Sequence, residues 1–397
     1  MKPITIYGRE RPGMKSKVFL IIISSLLFNL NTYSSFNRDK VEALWGSANL
    51  QVDKNNIHLF SKDEKNPSFL SVDISSHDFK IDHDNIVLDL MVDDLRAVNG
   101  IEIRFSESKV SENYLYYVIP LFTDYEFNLL QSSNPTRLSI SGANLKEKGK
   151  GAKSLNYMTI YFSAKTTNTR LTLWPLKKTK KIDRGILTIT FDDGAKDNLL
   201  ADRELSNYKF PITTYIMPDS LNTKDFLKES ELKMLSKKYW QVESHHEIPF
   251  TFFSSKQLSE EIERLEKYFK RNEYKKDDFH LAYPLGKINK NVEDIVRKSF
   301  ATARLASGGI ETIPPGDYHK LRAFNVLNTT TPEELKEIID KTKKSKQWLI
   351  LMFHHIKDQP KDEIDYSTEN FKELLKIIKE SNIDIMSIDE VWKKYLK

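Results

Sequence analysis

Asp192 and Asp193 stand side by side at the end of an apolar run that includes Ile186, Leu187, Ile189 and Phe191, and Gly194 follows them. A buried strand ending in paired carboxylates delivers charge to the rim of a site. Successive strand side chains point to opposite faces, so the two aspartates are expected to divide the work, one holding a metal and the other facing a water. Asp-Asp-Gly is also a common turn, and the pair gains weight only from the company it keeps. That company is Glu243-Ser244-His245 after Trp240 and Val242, then Leu281-Ala282-Tyr283-Pro284-Leu285-Gly286, then the apolar run Trp348 to Phe353 that ends in His354 and His355. An imidazole at a strand end titrates near neutrality and suits proton transfer. The chain contains no cysteine, which excludes disulfides, thiolate metal sites and cysteine nucleophiles. Any metal is left to His, Asp or Glu.

The elements that must position these residues follow from pattern. Over residues 185–397, strand-like and helix-like segments alternate: Ile186 to Phe191, Ile212 to Met217, Trp240 to Ser244, His280 to Tyr283, Ala303 to Ala306, Trp348 to Phe353 and Ile385 to Ser387 read as strands, with amphipathic helices between them. This rhythm implies a parallel sheet, and chemistry-bearing residues at several strand ends favour a barrel, whose strand ends converge on one face. Residues 36–176 differ. Short alternating segments such as Ile86 to Val92, Ile101 to Phe105 and Met158 to Phe162, bounded by Asn, Ser, Asp and Gly, predict a β-sandwich. Its Tyr, Trp and Arg residues raise carbohydrate binding as a role for this domain, although most such aromatics in strands are core. Residues 177–184 are lysine-rich and are expected to form a solvated linker. Residues 1–35 include Met-Lys-Ser-Lys from Met14 and an apolar run from Val18 to Phe28, the pattern of a secretory signal too short for a membrane span. The expected location is therefore secreted or cell envelope, with membrane attachment only if that segment stays uncleaved.

A chain of 397 residues has room for two domains, and 39% hydrophobic with 29% charged residues is globular rather than disordered. A net charge of +5 spread along the chain gives no argument for nucleic acid.

In order and placement, the four stretches resemble the motifs of the polysaccharide deacetylases, the NodB-homology or carbohydrate esterase family four enzymes. The resemblance implies a distorted, incomplete (β/α) barrel, here preceded by the β-sandwich, an order similar to that of secreted deacetylases with a jelly-roll-like module. It implies a secreted, metal-dependent hydrolase that removes N-acetyl groups from an amino-sugar polymer such as poly-N-acetylglucosamine, a chitin-like polymer or a cell-wall glycan. Asp192 would be the general base, Asp193 and His245 would hold a divalent metal, zinc by expectation, and His354 would protonate the leaving amine. Tyr283, Pro284, Leu285 and Leu351 would contact substrate, and backbone N–H groups from Tyr283 to Gly286 would form an oxyanion hole. Two departures stand out. Pro249 occupies the place of the family's second metal-binding histidine, which leaves His246, Glu247, His319 and His355 as stand-ins. Ala282 occupies the place of the arginine that orients the base, for which Arg322 is the expected substitute. These departures motivate a second reading, a catalytically impaired glycan-binding protein on the same fold; an O-acetyl esterase is a third.

Overall fold

Every residue of Ile186–Phe191 is buried, as a parallel strand covered on both faces requires. The structure, a computed structural model, describes residues 40–44, 49–53, 56–62, 67–119, 135–274 and 277–397. The signal segment lies outside the described residues.

The N-terminal part forms β1 (Val41–Leu44), β2 (Asn49–Val52), β3 (Ile57–Phe60), β4 (Ser68–Asp73), β5 (Asp84–Val92), β6 (Val98–Ser106), β7 (Tyr114–Ile119), β8 (Thr136–Ile140), β9 (Lys146–Lys148), β10 (Tyr157–Ala164), β11 (Arg170–Leu173) and β12 (Lys177–Lys180). One antiparallel sheet runs β1-β4-β10-β6-β7-β9; the other runs β12-β5-β11-β3-β2, with β8 also paired to β5. Their inner faces share one apolar core that includes Leu70, Ile103, Phe162, Leu59, Leu88 and Leu171. The expected sandwich is present, with a correction at its end. Lys177–Lys180, read as solvated linker, pairs antiparallel with Asp84–Val87. Lys180 and Lys177 meet the carboxylates of Asp84 and Asp89, so lysine density here marks a charge-paired edge strand.

The second part contains β13 (Ile186–Phe191), β14 (Ile212–Ile216), β15 (Trp240–Ser244), β16 (His280–Ala282), β17 (Thr302–Gly308), β18 (Leu321–Asn325) and β19 (Trp348–Phe353). These strands pair in parallel in that order, and the ring closes because β13 pairs with both β19 and β14. Beyond the ring lie β20 (His355–Lys357) paired with β21 (Asp365–Ser367), and β22 (Asp384–Ile385), which occupies the early half of the β13 edge whose late half binds β14. The family-type barrel with a preceding β-rich module is thus present.

Alternation along each strand separates two environments. Trp348, Ile350 and Met352 face one small cluster with Ile186, Tyr215 and Ala282, the barrel interior. Leu349, Leu351 and Phe353 face the large cluster shared with the surrounding helices. Helix 255–271 shows why such helices cover the barrel. Ser254 caps it in a capping box with Gln257, and Leu258, Ile262, Leu265 and Phe269 recur at helical spacing on the buried face. Each such side chain contributes roughly 1.5–3 kcal/mol by leaving water.

Sandwich and barrel meet through a polar seam. Gln347 Nε2 donates to Asn85 Oδ1 at 2.7 Å, and Asn85 Nδ2 donates to the Ile313 carbonyl at 3.2 Å. Gly316 makes the closest approach, since a Cβ there would lie 2.5 Å from the Arg137 carbonyl oxygen. Arg322 belongs to this seam. Its guanidinium reaches Glu311 at 3.5 Å and donates to the Ser139 carbonyl at 3.1 Å.

Candidate active site

The strand β13 stops at Phe191, and the next residues leave strand geometry. Asp193 (φ 70°) and Gly194 (φ 75°) are both left-handed, a conformation tolerated by Asp and natural for Gly. A Cβ on Gly194 would also press to 3.0 Å from Ile216 Cγ2. Strand alternation therefore does not set the direction of Asp193, because the strand ends before it. Both carboxylates act on the imidazoles of His245 and His354.

Asp192 is buried, and its partner is Arg304, whose Nη2 donates to Asp192 Oδ1. Arg304 projects from β17 into the barrel interior, where its guanidinium lies 4.8 Å from the centre of the Tyr215 ring and donates to the Leu305 carbonyl at 3.0 Å. Burial works against charge on Arg304, but Asp192 outweighs it and keeps the guanidinium protonated. Arg322, the expected partner of Asp192, is engaged at the sandwich seam instead. A charged residue inside the otherwise uncharged strand Thr302–Gly308 was the available signal for Arg304, because a buried charge requires a counter-charge.

His245 follows β15, and its Nδ1 lies 2.8 Å from the Ala282 carbonyl oxygen. That contact makes Nδ1 a donor and turns Nε2 toward Asp193, 3.4 Å from its Oδ1. Burial opposes charge on His245, yet the hydrogen bond to Asp193 and the fields of both aspartates raise its pKa. Burial would raise Asp193, but His245, His354 and His355 hold it below the ordinary carboxylate value. His354 follows β19. Burial lowers its pKa against the pull of Asp192 and Asp193, and its Nδ1 is buried without a hydrogen-bond partner.

A carboxylate and an imidazole nitrogen fit a divalent cation as two of its ligands, with the rest left to substrate and solvent oxygens. They do not make the three-ligand protein cage of a hydrolytic zinc centre. Among the described residues no group of three His, Cys, Asp or Glu side chains converges. His246 turns its Nε2 to Glu261 Oε1 at 3.2 Å and packs on Phe250. Glu247 accepts from Ser220 Oγ at 3.0 Å, His319 Nε2 lies 2.7 Å from the Phe300 carbonyl oxygen, and His355 Nδ1 lies 2.8 Å from Asp197 Oδ2. Asp197, the partner of His355, was not foreseen in the sequence.

The remaining expected contacts divide. Leu351 lies on the outer face of β19 in the helix-facing core, so it does not wall a pocket at the mouth; strand parity decides this. Tyr283 and Pro284 are buried, whereas Leu285 is 57% exposed at φ 56°. Ile248 and Phe252, on the loop that follows His245, are 48% and 74% exposed. The Tyr283 N–H donates to the Arg304 carbonyl and the Gly286 N–H to the Tyr283 carbonyl. Two of the expected oxyanion donors are therefore already occupied.

Residues 179–302 match the sequence profile of the family described as polysaccharide deacetylase. This part of the chain, about a third of it, is similar to the polysaccharide deacetylase family. The matched family is one of hydrolases acting on amide bonds, whose enzymes use a divalent metal. No curated protein is a significant match. Solved structures similar to it include the esterase family four domain of a multidomain xylanase from the hindgut metagenome of Trinervitermes trinervoides (13% identity, 53% of this chain and 91% of that one, TM-score 0.38). A family four acetyl xylan esterase from Clostridium thermocellum in complex with cobalt matches at 16% identity over 52% of this chain and 90% of that one (TM-score 0.38). A family four pseudoenzyme from Bacillus anthracis matches at 11% identity over 52% and 65% (TM-score 0.34).

Proposed function

We propose that the barrel mouth hydrolyses N-acetyl groups of an acetylated amino-sugar polymer outside the cytoplasm, the location resting on the signal-like sequence before residue 36. The observation that carries this reading is the buried Asp192–Arg304 pair beside Asp193, His245 and His354. Arg304 holds the Asp192 carboxylate in place, and Asp192 accepts a proton from the attacking water. The water oxygen bonds to the acetamide carbon, the carbon–nitrogen bond breaks, and His354, once protonated, gives its proton to the departing nitrogen. Acetate and a free amine result. Asp193 and His245 would hold a divalent cation, zinc by expectation, which when bound would polarise the acetamide carbonyl. Leu285, Ile248 and Phe252 offer apolar surface to sugar rings on the loops that follow β15 and β16.

Pro249 favours a second reading, glycan binding without turnover, because two protein donors hold a cation less firmly than three. Acetate release decides between them. Wild-type protein is expected to release acetate from N-acetylglucosamine oligomers or peptidoglycan with zinc or cobalt supplied, and Asp192→Asn to lose about 10²–10⁴-fold in kcat/KM. No acetate from any acetylated glycan, with either metal, would leave only the binding reading.

A further inference from the structure

The outward face of the sheet β1-β4-β10-β6-β7-β9 carries rows of side chains that cross its strands. In one row Phe69 pairs with Tyr161, Tyr161 with Glu102, and Glu102 with Val118. In the next, Ser71 pairs with Thr159, Thr159 with Arg104, Arg104 with Tyr116, and Tyr116 with Lys146. Farther along, Asp73 pairs with Tyr157, and Tyr114 with Lys148. The alternate residues Leu70, Ile103 and Ile160 are fully buried in the sandwich core, whereas Phe69, Tyr114, Tyr116, Tyr157 and Tyr161 are only half-buried. These rings lie on the outside, and the core does not account for them.

Arg104 sits in the middle of the face. Its guanidinium lies 4.8 Å from the Tyr114 ring centre and 5.9 Å from that of Phe69, and it is hydrogen-bonded to Glu102. Phe69 and Tyr161 meet edge to face at 5.2 Å. Beside them a cavity of about 60 Å³ opens between Phe69, Arg104, Tyr114, Thr159 and the loop residues Lys109 and Val110. Contacts to the barrel are made by other residues, among them Asn85, Ser139, Asn144 and, on the opposite face of β7, Tyr117.

We infer that this sheet face binds a pyranose polymer bearing acetamido groups. The identity of the polymer rests on the reading of the barrel; the platform does not. A pyranose presents flat C–H faces and a hydroxyl-bearing edge, which half-exposed rings and interspersed hydrogen-bonding side chains match. A protein partner is a poorer fit, since the centre of such an interface is depleted of Asp, Glu and Lys, and here Asp73, Glu102, Lys146 and Lys148 stand directly beside the rings. Neighbouring strands lie about 4.8 Å apart, so successive rings and donors recur at intervals close to the length of one sugar residue.

The test uses the full chain carrying Tyr114→Ala, Tyr116→Ala or Tyr161→Ala, and Arg104→Gln. Binding is measured by depletion on colloidal chitin, on poly-N-acetylglucosamine and on peptidoglycan sacculi. Acetate release from a short N-acetylglucosamine oligomer is measured in parallel. Each tyrosine substitution is expected to weaken binding to at least one polymer roughly 2- to 10-fold, with melting temperature and oligomer turnover unchanged and with Tyr116→Phe retaining affinity. Wild-type protein that binds none of the three polymers, or folded variants that bind as wild type does, would overturn the inference. If polymer binding is lost in the variants while no protein releases acetate, the platform stands and the hydrolase reading falls.

Discussion

Two arginine–carboxylate pairs are buried in this barrel, Asp192 with Arg304 at the mouth and Glu311 with Arg322 at the sandwich seam, and they are finished differently. Glu311 also accepts from the backbone N–H groups of Thr312 at 2.7 Å and Arg322 at 2.9 Å, while Arg322 spends a further donor on the Ser139 carbonyl. Asp192 receives its one side-chain donor from Arg304, and the Nε of that arginine is buried without a partner. A pair saturated with hydrogen bonds fixes two surfaces together. One with capacity to spare, beside two histidines and a second aspartate, is suited to exchanging a proton with a substrate.

Removing each arginine should separate the roles. Arg304→Met leaves a buried carboxylate without its counter-charge, expected to cost about 3–5 kcal/mol in stability and, in the surviving folded fraction, about 10²–10⁴-fold in turnover. Denaturant melts together with acetate release measure both. Arg322→Met strands Glu311 in the same way and should cost a similar 3–5 kcal/mol, but activity per folded molecule should stay at the wild-type level. An Arg322 variant that folds well yet has no activity would erase the distinction. The seam can also be strained without touching charge. Gly316→Ala forces a Cβ toward the Arg137 carbonyl and should destabilise by about 1–3 kcal/mol, read as a lower denaturation midpoint with turnover intact.

The same pairs show what could be read from the chain beforehand. Local patterns were enough for the strands that carry Asp192, His245 and His354, because a buried strand followed by a polar residue is a contiguous signal. The partner of Asp192 was not local: Arg304 and Arg322 lie eighteen positions apart on neighbouring strands β17 and β18, and only closure of the ring decides which side chain reaches the mouth. Leu351 failed through parity, since one position along a strand exchanges interior for helix-facing core. The direction of the Asp193 side chain was not legible, because a backbone turn begins where the strand rule stops applying. The lysine-rich segment at 177–180 misled because charge density reads as solvent exposure, while its partners Asp84 and Asp89 sit roughly ninety residues earlier.

The smallest effect concerns His355, the neighbour of His354 that points away from the chemistry and pairs with Asp197 at 2.8 Å. The hydrogen bond to Asp197 raises the His355 pKa above its ordinary value, partial burial opposing it. A histidine whose pKa is higher in the folded chain than in the unfolded one adds stability that is complete below pH 6.5, its unfolded value, and that disappears as pH rises through the folded value. Asp197→Asn should therefore cost about 1 kcal/mol near pH 5.5 and close to nothing near pH 9. Chemical denaturation at the two pH values measures the difference. A cost that is equal at both would mean that the pair acts as a neutral hydrogen bond, and that charge at this end of β19 is confined to the mouth.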